Sequence, residues 1–143
     1  MREFQVNLSK SHKSYFNAAK AISEQSKFKQ YHIGCVAVYR HKIISSGCNS
    51  DRTNPLQKKL NVYRFPEDSK HKVHAEVSCL LPLIGRKDIN FHEVSLYIYR
   101  EHKNGALGIA RPCASCMALI RSLGIRYIYY TGEKSYINEE LIY

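Results

Sequence analysis

No apolar run in this sequence approaches the roughly 20 residues that a bilayer-crossing helix needs, and the start, Met1-Arg2-Glu3-Phe4-Gln5-Val6, lacks the apolar core of a signal peptide. Both absences lead to the expectation of an intracellular, cytoplasmic protein with no membrane partner. Repeats, low-complexity tracts and Pro/Gly-rich linkers are missing as well, so residues 1–143 read as a single domain around one hydrophobic core. Acidic residues are scarce: 12 against 22 lysines and arginines leave a net charge of +10. Such an excess draws in polyanions or phosphate-bearing substrates, or merely solvates the surface; it speaks to partners and not to fold. An even set of cysteines is also lacking. Cys35, Cys48, Cys79, Cys113 and Cys116 make five, and only the last two share a motif, which fits reduced thiols and a metal site better than a disulfide framework.

Turning to what is present, residues 9–27 place Phe16, Ala19 and Ile22 at helical spacing behind Ser9 or Ser11 as a cap. Residues 33–39 and 42–46 read as strands joined by a tight hairpin at Arg40-His41, although no Gly or Asn marks the turn. Residues 49–72, polar, basic and broken by Pro55 and Pro66, read as a long loop. Residues 73–84 read as a helix that Pro82 ends or kinks and Gly85 stops, and residues 94–99 as a strand. Pro112 opens a helix ending near Gly124, and a strand follows over 125–130. Residues 136–143 are too close behind to be parallel, so they form an antiparallel strand or a short helix. This order predicts an α/β fold, a three-layer α/β/α arrangement with a mixed sheet.

Two motifs carry chemistry: His74-Ala75-Glu76 and Pro112-Cys113-Ala114-Ser115-Cys116, each at the start of a predicted helix. Two thiolates and an imidazole fill three of zinc's four tetrahedral positions and leave the fourth for water. Cys113 and Cys116, three apart, face the same way on a helical turn, where the helix N-terminus favours thiolate. At a helix start His74 can reach a metal while Glu76 reaches its water, as general base and then acid. Each motif alone has a plainer reading, a redox or structural Cys-x-x-Cys or a chance His-x-Glu. A four-ligand structural zinc with His71 would leave Glu76 without a role.

Together these motifs make the chain resemble the zinc-dependent cytidine and deoxycytidylate deaminase superfamily, from Ile33 to about Tyr130. The resemblance implies a five-stranded mixed sheet flanked by helices, Zn2+ on His74, Cys113 and Cys116, and Glu76 as proton shuttle. It also implies that Asn49, at the end of the second strand, holds a sugar; as a residue type it is equally a turn former. The short tail resembles the branch with an antiparallel last strand. His-Ala-Glu is more similar to the deoxycytidylate and nucleic-acid-editing members. The Trp-containing stretch before Pro-Cys of vertebrate polynucleotide deaminases is replaced by Gly108-Ile109-Ala110-Arg111.

For the substrate, the 52–72 loop carries Arg52, Lys58, Lys59, Arg64, Lys70 and Lys72 against Glu67 and Asp68, with Tyr63 and Phe65 interleaved; His102, Lys103 and Arg111 flank the second motif. Basic residues with aromatics suit phosphates and stacked bases, or the rings pin the loop to the core. With Asn49, which the resemblance implies, and Ala75 of the first motif, Arg52, Tyr63 and Arg111 complete the candidate substrate-binding residues. The expected partner is a cytosine-containing nucleotide or nucleoside, with single-stranded DNA or RNA as the alternative and a non-catalytic zinc-stabilised nucleic-acid-binding module as a third reading. Nothing in the residues excludes adenine or guanine. Cys35, Cys48 and Cys79 read as structural, and the eleven tyrosines as sheet packing, some available to a homo-oligomer interface.

Overall fold

The computed structural model describes residues 2–5, 8–61 and 72–142. A central hairpin organises the sheet. Strand β2 (His32–Tyr39) turns into β3 (Lys42–Cys48) through Arg40 and His41, both in the left-handed region at φ +50° and +68°. That is the turn geometry a two-residue hairpin needs, adopted here without the Gly or Asn that reaches it with least strain. Tyr15 supports it from outside, donating its hydroxyl to the His41 carbonyl at 3.1 Å.

β4 (Val94–Glu101) pairs antiparallel with β2, and β5 (Tyr127–Thr131) pairs parallel with β4. β6 (Tyr136–Glu140) then pairs antiparallel with β5, which settles the open end of the chain as a strand. These make the expected mixed five-stranded sheet. A further edge strand, β1 (Arg2–Gln5), pairs antiparallel with β6, giving the order β1-β6-β5-β4-β2-β3.

Helices cover both faces, and the strands alternate to meet them. Helix α1 (Lys10–Ser23) is capped by Ser9, whose side chain accepts from the His12 N–H. It packs Phe16 and Ala19 onto Val36, Val38, Tyr97 and Tyr99. The opposite face presents Cys35, Ala37, Leu96, Ile98 and Ile128 to the larger core beneath α3 (Ala75–Leu80) and α4 (Ala114–Leu123). Tyr97 and Tyr129 stack at 4.5 Å on the α1 side, and Cys35 and Cys79 are fully buried, as packing residues should be.

Beside β1, the helical segments refine the sequence expectation. The 49–72 stretch holds a helix, α2 (Pro55–Leu60), because Asn54 caps it through Leu56 N–H at 2.8 Å and Pro55 occupies the first turn, where it has no intrahelical bond to lose. The α-helix after His74 stops at Leu80 and passes into a 3-10 turn, Leu81–Leu83, around Pro82. Cys113, not Pro112, caps α4, which ends as expected on Gly124 at φ +88°. No helix among the described residues is long and apolar enough to cross a membrane.

Two strand glycines set how closely the helices approach. A Cβ on Gly34 would lie 2.0 Å from the Ala19 carbonyl oxygen of α1, and one on Gly47 would lie 2.4 Å from the Cys79 nitrogen of α3. Ser45 fastens the second contact by donating to the Cys79 carbonyl at 2.6 Å. Gly47→Ala must therefore push α3 off the sheet, and its cost should be about 2–3 kcal/mol of stability. Urea unfolding with an unchanged midpoint would show that the contact is not rigid.

Candidate functional site

His74 and Cys113 occupy equivalent places, the N-cap positions of α3 and α4, both extended, and neither side chain caps its own helix. Freed from capping, the two side chains turn toward each other. His74 Nδ1 lies 3.4 Å from Cys113 Sγ and 3.3 Å from Cys116 Sγ. Ligands of one tetrahedral zinc, at 2.3 Å for sulfur and 2.0–2.1 Å for nitrogen, would sit about 3.6 Å apart, so the set needs only a slight expansion to fit that ion. Among the described residues these three donors form the metal-competent cluster. Hydrogen bonding from Cys116, then from His74, brings the Cys113 thiol down to about 3 despite its desolvation, so it is a thiolate at neutral pH.

Glu76, in the first turn of α3 and only 5% exposed, faces the same cavity as His74, Ala75, Cys113 and Asn49. Burial raises its carboxyl above the usual carboxylate range, while the neighbouring His74 works against that rise. The cavity is about 500 Å³, the size of a mononucleotide-scale ligand.

The sequence expectations for the walls fare unevenly. Asn49, directly after β3, does line the cavity, but its amide is also a structural joint: Oδ1 accepts from Ile33 N at 2.9 Å and Ser26 Oγ at 2.7 Å, and Nδ2 donates to the Tyr31 carbonyl at 2.9 Å. Arg111 reaches the rim, yet its guanidinium forms a two-pronged pair with Glu139 on β6, at 2.9 and 2.7 Å. Glu139 is fully buried and also accepts from Tyr130 Oη at 2.9 Å, so Arg111 answers an internal charge. Arg52 is exposed and is not among the residues that line the cavity; its carbonyl accepts from Val73 N–H at 3.0 Å. His102 and Lys103 border a neighbouring cavity of about 430 Å³ instead. Tyr63, together with Phe65, Arg64, Lys70 and His71, lies outside the described residues.

Other residues at the site carried no motif. Phe28, Lys29, Tyr31, Lys72 and Arg100 line the cavity, brought there by the 24–31 connection, by the Thr53–Lys72 bridge ahead of α3 and by the end of β4. A buried polar chain ties the two motif helices to α2: Gln57 Oε1 accepts from His74 N–H at 3.1 Å, its Nε2 donates to Asn61 Oδ1 at 3.0 Å, and that same oxygen accepts from Ser115 Oγ at 3.1 Å. The sequence signal for it was the Asn54-Pro55 helix start, which alone makes Gln57 and Asn61 an i, i+4 pair. Gln57→Ala should cost about 1–3 kcal/mol, the penalty for removing the side-chain acceptor of the part-buried His74 N–H. It should also weaken zinc retention roughly 10–100-fold. Thermal unfolding and competition with a chromogenic chelator would measure the two effects, and wild-type values in both would dismiss the tether.

Comparison with known proteins agrees with this geometry. A probable deoxycytidylate deaminase of Caenorhabditis elegans is 27% identical over 128 residues, covering 85% of this chain but 57% of its own length, so this chain spans little more than half of that relative. The fold is similar to the crystal structure of cytidine deaminase from Burkholderia pseudomallei, at 18% identity and a TM-score of 0.63 over 90% of this chain and 91% of that one. It is also similar to the dCMP deaminase of cyanophage S-TIM5 in its apo form, at 20% identity and a TM-score of 0.58 over 84% and 81%. The sheet with helices on both faces is thus a cytidine deaminase-like fold. The family model for the cytidine and deoxycytidylate deaminase zinc-binding region matches residues 9–132, from the cap of α1 to the end of β5, and on that extent the chain belongs to this family.

Proposed function

We propose that residues 1–143 act as one zinc-dependent deaminase domain, converting a cytosine base to uracil in a nucleoside or nucleotide such as deoxycytidylate. The observation that carries this reading is the buried carboxyl of Glu76 sharing a cavity with the donors of His74 and Cys113. A zinc held only for stability has no use for an acid there, which weighs against a non-catalytic nucleic-acid-binding module. His74, Cys113 and Cys116 would hold the ion, which when bound lowers the pKa of a water to about 7.

Glu76 is the proton carrier in this reading. Oxygen from water bonds to C4 of the base, the bond from C4 to the exocyclic nitrogen breaks, and ammonia leaves. Glu76 takes one proton from the attacking water and delivers it to the ring nitrogen, then takes the second from the new C4 hydroxyl and passes it to the departing amine. A carboxyl raised by burial holds that proton more readily than an exposed one. Ala75 and Asn49 wall the cavity beside it and would bound the base and its sugar.

Cytosine is preferred over a purine on the family description and on the name of the Caenorhabditis relative. One observation favours a single-stranded polynucleotide instead, the net charge of +10. Deamination assays on cytidine, deoxycytidine, deoxycytidylate, single-stranded DNA and single-stranded RNA separate the two. Turnover confined to monomers supports the proposal, and turnover confined to a polymer replaces it with the editing reading. Glu76→Gln should retain one zinc per chain while losing turnover by at least about 10²–10⁴-fold; unchanged turnover would remove Glu76 from the chemistry.

A further inference from the structure

Four cationic side chains line the Glu76 cavity, and two of them are engaged within the protein. Arg111 is paired with Glu139, and Lys72 donates its ammonium to the Asp51 carbonyl at 2.6 Å. Arg100 is different. Its guanidinium carbon sits over the Tyr31 ring, 4.7 Å from the centroid, and its Nε is buried with no hydrogen-bond partner among the described residues. Among those residues no carboxylate lies within ion-pair distance of it. A guanidinium carries five N–H donors and cannot shed its charge, so leaving one partly buried and unanswered is costly unless a ligand answers it.

The stem of this arginine is also held in place. Gly108 N donates to the Arg100 carbonyl at 2.9 Å, and the Arg100 N–H donates to Thr131 Oγ1 at 3.1 Å. The missing side chain at Gly108 makes the room: a Cβ there would stand 3.0 Å from Arg100 Cγ and 3.1 Å from its Cδ. Strand end, glycine and tyrosine ring therefore fix a charged fork on the wall of the cavity before any ligand arrives.

We infer that Arg100, backed by Tyr31 and Gly108, is the specificity-determining residue of this cavity and binds the phosphate of its ligand. The inference rests on the cytosine-nucleotide reading above and adds to it that the phosphate is recognised through this side chain. A bidentate guanidinium matches two phosphate oxygens, and the cavity has room for a nucleoside monophosphate. The phosphate could belong to a mononucleotide or to the strand flanking a cytosine, and the substrate arms below separate these.

The test compares the zinc-loaded wild type with Arg100→Met, which keeps the stem and removes the charge, and with Arg100→Lys, which keeps a charge and loses the fork. In calorimetric titrations the wild type should bind deoxyuridylate at least about tenfold more tightly than deoxyuridine; Arg100→Met should erase that difference and Arg100→Lys restore part of it. kcat/KM for deoxycytidylate should fall about 10–100-fold in Arg100→Met while that for deoxycytidine stays within about threefold. If the selective loss instead appears on a cytosine-containing oligonucleotide, the phosphate recognised is that of a strand. Equal losses with and without the phosphate, or a phosphate preference that survives Arg100→Met, would overturn the assignment. A phosphate preference lost in Arg100→Met, with no deamination of any cytosine substrate by the wild type, would leave Arg100 as the phosphate residue and remove the deaminase reading alone.

Discussion

Holding an imidazole nitrogen 3.3–3.4 Å from two thiol sulfurs requires the cap residue of α3 and the cap and first turn of α4 to be fixed against each other. Neither helix can do this alone. Both begin with a residue that gives its side chain to the cluster, so both forgo the ordinary side-chain cap. The fixing comes from elsewhere. Gln57 and Asn61 of α2 bridge the His74 backbone to Ser115 through buried hydrogen bonds, and Gly47 lets α3 sit directly on β3. A donor set at this spacing is thus a property of how three helices rest on one sheet, not of either motif taken separately.

The same geometry explains why so strongly basic a chain has a cavity with few unanswered charges. Arg111 answers Glu139 and Lys72 answers a backbone carbonyl, so their contribution to the wall is largely structural. The net charge of +10 therefore says less about the cavity than the sequence suggested, and the position of Arg100 says more. Charge counted along a loop records how many cations are present. Only the fold shows which of them have partners, and a part-buried guanidinium whose Nε has no hydrogen-bond partner among the described residues is the informative case.

Much of the architecture was legible because it is written in local patterns. Alternation in β2 and β4 sends Cys35, Ala37, Leu96 and Ile98 to one face and Val36, Val38, Tyr97 and Tyr99 to the other, and the Ser9 cap and the Gly124 stop marked helix ends. α2 and β1 were not read. α2 is six residues long, marked by one Asn-Pro pair, inside a stretch whose charge and prolines suggested a loop. β1 is four residues whose strand character comes from pairing with β6, a partner more than 130 residues along the chain.

By itself, the sequence determined the chemistry available at the site: an imidazole, two thiols three apart and a carboxyl two after the histidine, each motif at the opening of a helix. Those are matters of residue type and short spacing, which a linear pattern records. The tertiary structure alone decided that Glu76 is buried, that Asn49 is a joint of the 24–33 connection as well as a wall, that Arg52 stays outside and that Arg100 comes inside. Each of these depends on contacts between segments remote in sequence, where burial and pairing set the energy of a charge, and no local spacing encodes them.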